Sequence, residues 1–384
     1  MLGYRKRSFG RACMLLRRLR DNLEDLEALR ELQKLLLHEV TRAEEKIRQL
    51  KSELRKITGA KDSAKVKRLG YLNNRIDGFR QCAYIWRCFG DAIAFLYLDR
   101  FSLKQCFYST ETPNPKQDAG FILGKEGLAN ELLLLKSALE HSVPAILVDL
   151  TNTIRHGDVC LLGGGDPCLI EAKLSKKMNR RGKRQKRSLE KLHTFYETDK
   201  CAGLRGIPEV QRRSHKTPEQ THIDVINECI REAMNGGHAI RQPEHGLYYF
   251  VATEKGPNLE ECLKTLKPKN AFWTFFLNEH KANRTWAPYS PFTLSIDDSD
   301  HLWNFIRGNL FIYVFVEFDA LRKIALDEGC EATVDPDDGE YPLRIQTPEG
   351  GPLCISSNML ARIGLEFMSP GWIVRCSLET FGVG

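Results

Sequence analysis

The residues best placed to do chemistry in this chain are Asp158, Glu171 and Lys173. Asp158 opens the apolar run Val159 to Leu162, and Gly163-Gly164-Gly165-Asp166-Pro167 turns the chain before Cys168-Leu169-Ile170-Glu171-Ala172-Lys173. Two short apolar runs around a glycine-rich turn spell a β-hairpin. Side chains alternate across a strand, so Glu171 and Lys173 share a face, and the antiparallel return brings Asp158 beside them. Two carboxylates near a lysine suit a hard divalent cation, Mg²⁺ or Mn²⁺, which takes oxygen ligands and keeps waters for a phosphate substrate. The expected chemistry is metal-dependent cleavage of a phosphodiester. Lys173 would orient or help deprotonate the attacking water, or neutralise charge developing on the phosphate.

The segment that follows carries Lys176, Lys177, Arg180, Arg181, Lys183, Arg184, Lys186 and Arg187, with no acid until Glu190. Such a block marks a phosphate-binding loop or arm, or alternatively a disordered, solubilising loop or a localisation-type patch. Set directly after the acid cluster, it is read as holding nucleic-acid backbone over the metal, in a salt-dependent way that is blind to sequence. Gln185 sits within it, just before an apparent helix over Ser188 to Tyr196. His156, two residues before Asp158, is a candidate for substrate contact or proton transfer, or else an exposed turn residue.

An acid opening one strand and an acid-x-lysine triplet closing the next resembles the PD-(D/E)xK nuclease superfamily. Asp158 matches the first acid, and Glu171 with Lys173 matches the second element. Gly157 stands where the superfamily pattern has proline. The resemblance implies a restriction-endonuclease-like core: a helix, a three-stranded meander, a second helix and a further strand. Onto it fall a helix over Gly127 to His141, a strand over Ala145 to Leu150 and a later strand over Leu247 to Thr253, so that roughly residues 125 to 255 are covered. It further implies an acid from the first helix among the metal ligands, Glu131 with Glu126 behind it, and a substrate-contacting role for Gln185. DNA comes ahead of RNA as substrate on this resemblance alone.

These residues need a scaffold, and length allows one. At 384 residues the chain has room for two or three domains with buried cores. Its 57 basic and 50 acidic residues leave a net charge of only +7, so the basic character is local and does not match a histone-like binder. Twelve cysteines stand scattered in apolar contexts without a Cys-x-x-Cys pair, as in a reduced cytoplasmic protein. Arg11 interrupts the apolar stretch after the basic start, which speaks against a signal peptide. The apolar run Leu310 to Val316 is too short to span a bilayer. No P-loop, dinucleotide fingerprint or catalytic-serine elbow occurs.

From Leu15 to Ile57 the chain has a helical period without proline or glycine, and Leu36, Val40, Ala43, Ile47, Leu50, Leu54 and Ile57 form a heptad seam. A polar Gly59-Ala60-Lys61-Asp62-Ser63 linker leads to a second helix over Val66 to Asp99. The two are expected to pack as an antiparallel hairpin. That hairpin is either an internal stalk or an arm, over residues 15–99, for a homodimer or protein partner. Phe101 to Gln117 reads as a connector, and Ile223 to Ala233 as an amphipathic helix stopping at Gly236-Gly237. Beyond lie strand-like Phe272 to Phe276, Phe292 to Ile296 and Leu310 to Phe318, a helix over Ala320 to Asp327, and an exposed acidic turn at Asp335 to Gly339.

The expected architecture is therefore mixed α/β, with a helical hairpin over residues 1–100, a nuclease core over 101–255 and an accessory α/β region over 256–384. The expected function is a metal-dependent endonuclease, cytoplasmic and without a membrane, acting as an effector of prokaryotic defence against phage or plasmids. The alternative is a non-catalytic nucleic-acid-binding scaffold that assembles partners through its arm.

Overall fold

The computed structural model describes residues 5–57, 63–118, 120–172, 180–213, 216–257, 260, 261, 264, 271–347 and 351–380. The chain is mixed α/β and divides into two compact units, Met1–Arg212 and Arg213–Gly384. The two units part at residue 212, whereas the expected boundaries lie near 100 and 255. The helices of the first hundred residues pack directly on the elements that carry the acids.

In the first unit, α1 (Lys6–Asp21), α2 (Leu26–Ile57) and α3 (Ser63–Tyr97) form an all-helical layer. The seam residues Leu36, Val40, Ala43 and Ile47 are buried there with Leu72, Ile76 and Phe79 of α3. Where one helix was expected from Leu15 to Ile57, the chain breaks after Asp21. Asn22 accepts from the Glu24 N–H at 3.0 Å, and Asp25 accepts from Ala28 N–H at 2.9 Å, so two short polar side chains take over the helix-end donors. The expected connector begins with a helix, α4 (Arg100–Phe107), capped by Asp99 through the Ser102 N–H at 2.8 Å.

Next come α5 (Leu128–Glu140), strands β1 (Ala145–Leu147), β2 (Val159–Leu161) and β3 (Cys168–Ile170), and α6 (Arg180–Thr198). The strands form an antiparallel meander in the order β1-β2-β3, with Val159 opposite Ile170 and Leu147 opposite Val159. The hairpin turn is pinned. The Asp99 N–H donates to Gly165 O at 2.7 Å, and Asp166 accepts from Ser102 Oγ at 2.6 Å and from Arg212 at 2.5 and 2.9 Å. After α6, a small ribbon of β4 (Lys200–Ala202) and β5 (Glu209–Gln211) closes the unit.

The second unit holds α7 (Ile223–Gly236) and a four-stranded antiparallel sheet in the order β6-β7-β9-β8, built from β6 (His238–Glu244), β7 (Leu247–Thr253), β8 (Phe272–Phe276) and β9 (Leu310–Glu317). The segment Leu247 to Thr253, expected as the last strand of the acid-bearing core, belongs instead to this sheet, paired with β6 and β9. Phe292–Ser295, expected as a strand, is a short helix. Pro291 stands at its N-cap with φ −73°, and Phe292 packs edge-on against Trp286 at 4.9 Å and Phe305 at 5.4 Å. The unit further holds a three-stranded sheet of β10 (Glu331–Val334), β11 (Leu343–Gln346) and β12 (Pro352–Ile355), and helices over Leu277–Ala282, Ser299–Arg307, Phe318–Asp327, Ser357–Leu365 and Pro370–Thr380.

Candidate active site

Four elements of the first unit bring three carboxylates onto one ammonium group. Lys125 Nζ, in the loop before α5, lies 2.8 Å from Glu131 Oε1, 2.8 Å from Asp149 Oδ2 and 3.3 Å from Asp158 Oδ1. Glu131 sits in the first turn of α5, Asp149 in a 3₁₀ turn (Val148–Leu150) directly after β1, and Asp158 immediately before β2.

Backbone pairing explains this convergence. The Val148 N–H donates to Asp158 O at 3.0 Å and the Asp158 N–H to Ile170 O at 2.8 Å, so the ends of all three strands are held in line. The Ala172 N–H donates to Asp158 Oδ2 at 3.0 Å. That bond fixes the carboxylate against the backbone next to Glu171, which is half-buried directly after β3.

Gly157 has φ +77°, and a Cβ there would meet Ile170 O at 3.1 Å. Proline, locked near φ −65°, cannot take this conformation, which accounts physically for the glycine where the resembled pattern has proline.

The helical layer positions the rest. Glu44 of α2 accepts from the Leu123 N–H at 2.9 Å, and Arg48 donates to Leu123 O at 2.9 Å, together fixing the loop that carries Lys125. Arg87 of α3 bridges Glu44 Oε1 and Asp149 O, both at 2.9 Å. Gly90 of α3 packs against the same 3₁₀ turn so closely that a Cβ would come within 1.8 Å of Leu150 O. The helical layer is therefore part of the site's support.

Electrostatics follow from burial. Glu131 is only 1% exposed, and its Oε2 is buried without a hydrogen-bond partner. Burial pushes its carboxyl above the usual range, against the pull of Lys125, and the Asp158 and Asp149 charges push the same way. For Lys125, burial acts downward but is outweighed by hydrogen bonds to Asp149 and Glu131, so the ammonium is held above the ordinary lysine range.

Of the expected residues, Glu131, Asp158 and Glu171 lie at or beside this centre. Glu126 is exposed. Lys173, Lys176 and Lys177 fall outside the described residues, as do residues 59–62 of the expected linker. Arg180, Arg181, Lys183, Arg184, Gln185, Lys186 and Arg187 form the first turns of α6, which begins inside the basic segment, earlier than its expected start at Ser188. Lys183, Arg184, Lys186 and Arg187 are exposed, while Leu192 and Phe195 anchor the helix in the core.

His156 departs from both of its expected roles. It is 2% exposed, with Nε2 donating to Tyr108 O at 2.9 Å and Nδ1 accepting from Lys116 Nζ at 3.1 Å. Burial, with the Lys116 charge, pushes its pKa down to about 4. A neutral imidazole with both nitrogens engaged is a structural brace.

The sequence reading missed Asp149 and Lys125. Asp149 left a signal, as the one charged residue in the apolar run Ala145 to Leu150. Lys125, between Gly124 and Glu126, left none.

The donor set fits a hard divalent cation in kind, since all three groups are carboxylates and one buried oxygen of Glu131 is unpartnered. Among the described residues, no three metal-ligating side chains are already arranged around an ion position. The acids that come nearest are drawn onto Lys125 instead. The described cysteines are all free thiols, and no described helix is long and apolar enough to cross a membrane. The chain matches no known protein family, no curated protein and no solved structure.

Proposed function

We propose that the chain is a metal-dependent nuclease whose site is built from Glu131, Asp149, Asp158 and Glu171, with Lys173 following on the same segment. The convergence of Glu131, Asp149 and Asp158 from three separate elements on a single cationic atom carries this reading. It is supported by the frame, in which α5, the β1-β2-β3 meander and α6 follow the order of a restriction-endonuclease-like core. Among the described residues, no further strand after α6 joins the meander's sheet.

The carboxylates of Glu131, Asp149, Asp158 and Glu171 would hold Mg²⁺ or Mn²⁺. When bound, the metal supplies Lewis-acid polarisation of the phosphate and neutralises charge on it. Asp158, fixed by the Ala172 N–H, gives the site a rigid anchor. Glu131, buried and held by α5, excludes water from one side. The exposed cations of α6 would hold the nucleic-acid backbone, with DNA ahead of RNA on the superfamily resemblance. A trigger acting through the helical layer would suit a defence effector, because that layer holds both Lys125 and Asp149.

The rival is a nucleic-acid-binding scaffold. It is favoured by one observation: the three acids are already neutralised in part by Lys125.

The deciding experiment incubates supercoiled plasmid, linear duplex and single-stranded RNA with wild type, Asp158→Ala and Glu131→Gln in Mg²⁺, Mn²⁺ or EDTA. Cutting that needs metal and is lost in both variants is the expected result. Cutting that persists in EDTA, or in both variants, overturns the proposal.

A further inference from the structure

Lys125 stands where the three carboxylates would otherwise meet a divalent cation. Its Nζ is within 3.3 Å of all three, and two of the contacts are 2.8 Å. Three acids this close repel one another strongly when partly desolvated, so the fold needs a positive charge among them. A lysine supplies one charge to three carboxylates. The remainder shows in Glu131, whose Oε2 is buried and unpartnered beside the ammonium.

The mounting of Lys125 differs from that of its partners. Glu131 lies on a helix, and Asp158 is tied by its side chain to the Ala172 backbone. Lys125 reaches in from a loop whose backbone is held at Leu123, and its long stem is half-buried. An ammonium on a flexible four-carbon stem can swing away, whereas the Asp158 carboxylate is held from behind by the Ala172 N–H.

We infer that Lys125 is a built-in counter-cation that occupies the metal position and must be displaced before a divalent cation can bind. The inference rests on the nuclease reading and concerns the regulation of that site. The consequence is a threshold. At low divalent concentration the lysine holds the acids, and the site stays silent. At high concentration, metal displaces the ammonium and releases it toward solvent or the substrate phosphate.

The test uses Mn²⁺ alone, titrated into the full chain with free Mn²⁺ followed by electron paramagnetic resonance. Lys125→Met is expected to bind at least tenfold more tightly than wild type, because a competitor has been removed. Unchanged or weaker binding in Lys125→Met overturns the inference. A double variant, Glu131→Gln with Asp158→Asn, separates the two readings: Mn²⁺ binding equal to wild type would sink the metal site itself.

Three uncompensated acids could keep Lys125→Met from folding, so wild type provides a second measurement. Acetylation of Lys125 by acetic anhydride, read by mass spectrometry, should rise at least threefold when Mn²⁺ is added. Labelling that does not change with saturating Mn²⁺ overturns the inference without any variant.

Discussion

The carboxylate of Asp158 accepts the backbone N–H of Ala172 at 3.0 Å, so the acid before β2 is bound to the chain between Glu171 and Lys173. The bond explains how an acid and an acid-x-lysine triplet separated by a turn become one site. It also separates charge from structure. Asp158→Asn keeps an oxygen for Ala172 and gives up only the longer 3.3 Å contact to Lys125. Asp158→Ala leaves the Ala172 donor without its acceptor, a loss of about 1–3 kcal/mol. Urea unfolding should place Asp158→Asn within about 1 kcal/mol of wild type and Asp158→Ala clearly below it, while metal-dependent cutting is lost in both. An Asp158→Asn protein that cuts like wild type would remove Asp158 from the chemistry.

The exposed cations of α6 make a separate prediction about binding. Alanine at Lys183, Arg184, Lys186 and Arg187 together should weaken binding to duplex DNA and lower the slope of log affinity against log salt. The expected decrease is about 3, near 0.9 per lost phosphate contact, because Lys186 already shares its charge with Glu190 at 3.6 Å. Lys173→Ala should leave that slope alone while stopping turnover. Under the scaffold reading, the α6 variant fails in the same way but Lys173→Ala has no effect of its own, so the pair separates the two functions.

Two buried groups in the first unit set opposite pH dependences. His156 titrates near 4 in the fold against 6.5 in the unfolded chain, so between these values the unfolded state binds the extra proton. Its contribution is present above about pH 6.5 and falls away as pH drops toward 4, about 3 kcal/mol in all. Asp91, buried under bonds from Asn152 and Thr153, is pushed up to about 6 by burial from its ordinary 3.8. Its contribution runs the other way, present below about 3.8 and lost as pH rises through 6. Between pH 4 and 6 the two slopes largely cancel. His156→Gln removes one of them, and glutamine can still donate to Tyr108 O. Denaturant unfolding at pH 7 and 4.5 should show the stability difference between variant and wild type shifting by roughly 2–3 kcal/mol in favour of the variant at the lower pH. A difference that does not change with pH would mean that His156 is not neutral in the fold.

Local patterns were the legible part of this fold. The glycine-rich turn with flanking apolar runs gave β2 and β3, the heptad seam gave most of α2 and its packing on α3, and Gly236-Gly237 marked the end of α7. What sequence could not reveal were choices made by distant partners. Leu247 to Thr253 reads as a core strand wherever it pairs, and only its pairing with β6 and β9, with Phe250 opposite Ile240 and Tyr313, assigns it to the second unit. Asn22 and Asp25 break a helix that hydrophobic period alone would continue, because their side chains compete for backbone donors. Lys125 joined the site through α2, whose Glu44 and Arg48 lie far from it in sequence. Its role depends on packing and leaves no spacing to read.

Two glycines of α3 test whether the helical layer supports the site or merely accompanies it. Glycine inside a helix costs roughly 0.5–1 kcal/mol relative to alanine, so either Gly→Ala change should stabilise if nothing stands in the way. At Gly70 nothing lies within 4 Å of the position a Cβ would take, and the full gain is expected. At Gly90 the same atom would sit 1.8 Å from Leu150 O and 2.8 Å from its carbonyl carbon. Backbone must move to make room, and the backbone concerned is the 3₁₀ turn that presents Asp149 to Lys125. Gly70→Ala should therefore raise stability by up to about 1 kcal/mol with activity unchanged, while Gly90→Ala should lower it by roughly 1–3 kcal/mol, as overpacking does. Because Asp149 travels with the turn, Gly90→Ala should also change Mn²⁺ binding, although it touches none of the acids. Thermal unfolding and Mn²⁺ titration of the two variants would check this. If Gly90→Ala unfolds and binds Mn²⁺ like Gly70→Ala, α3 does not hold the Asp149 turn in place.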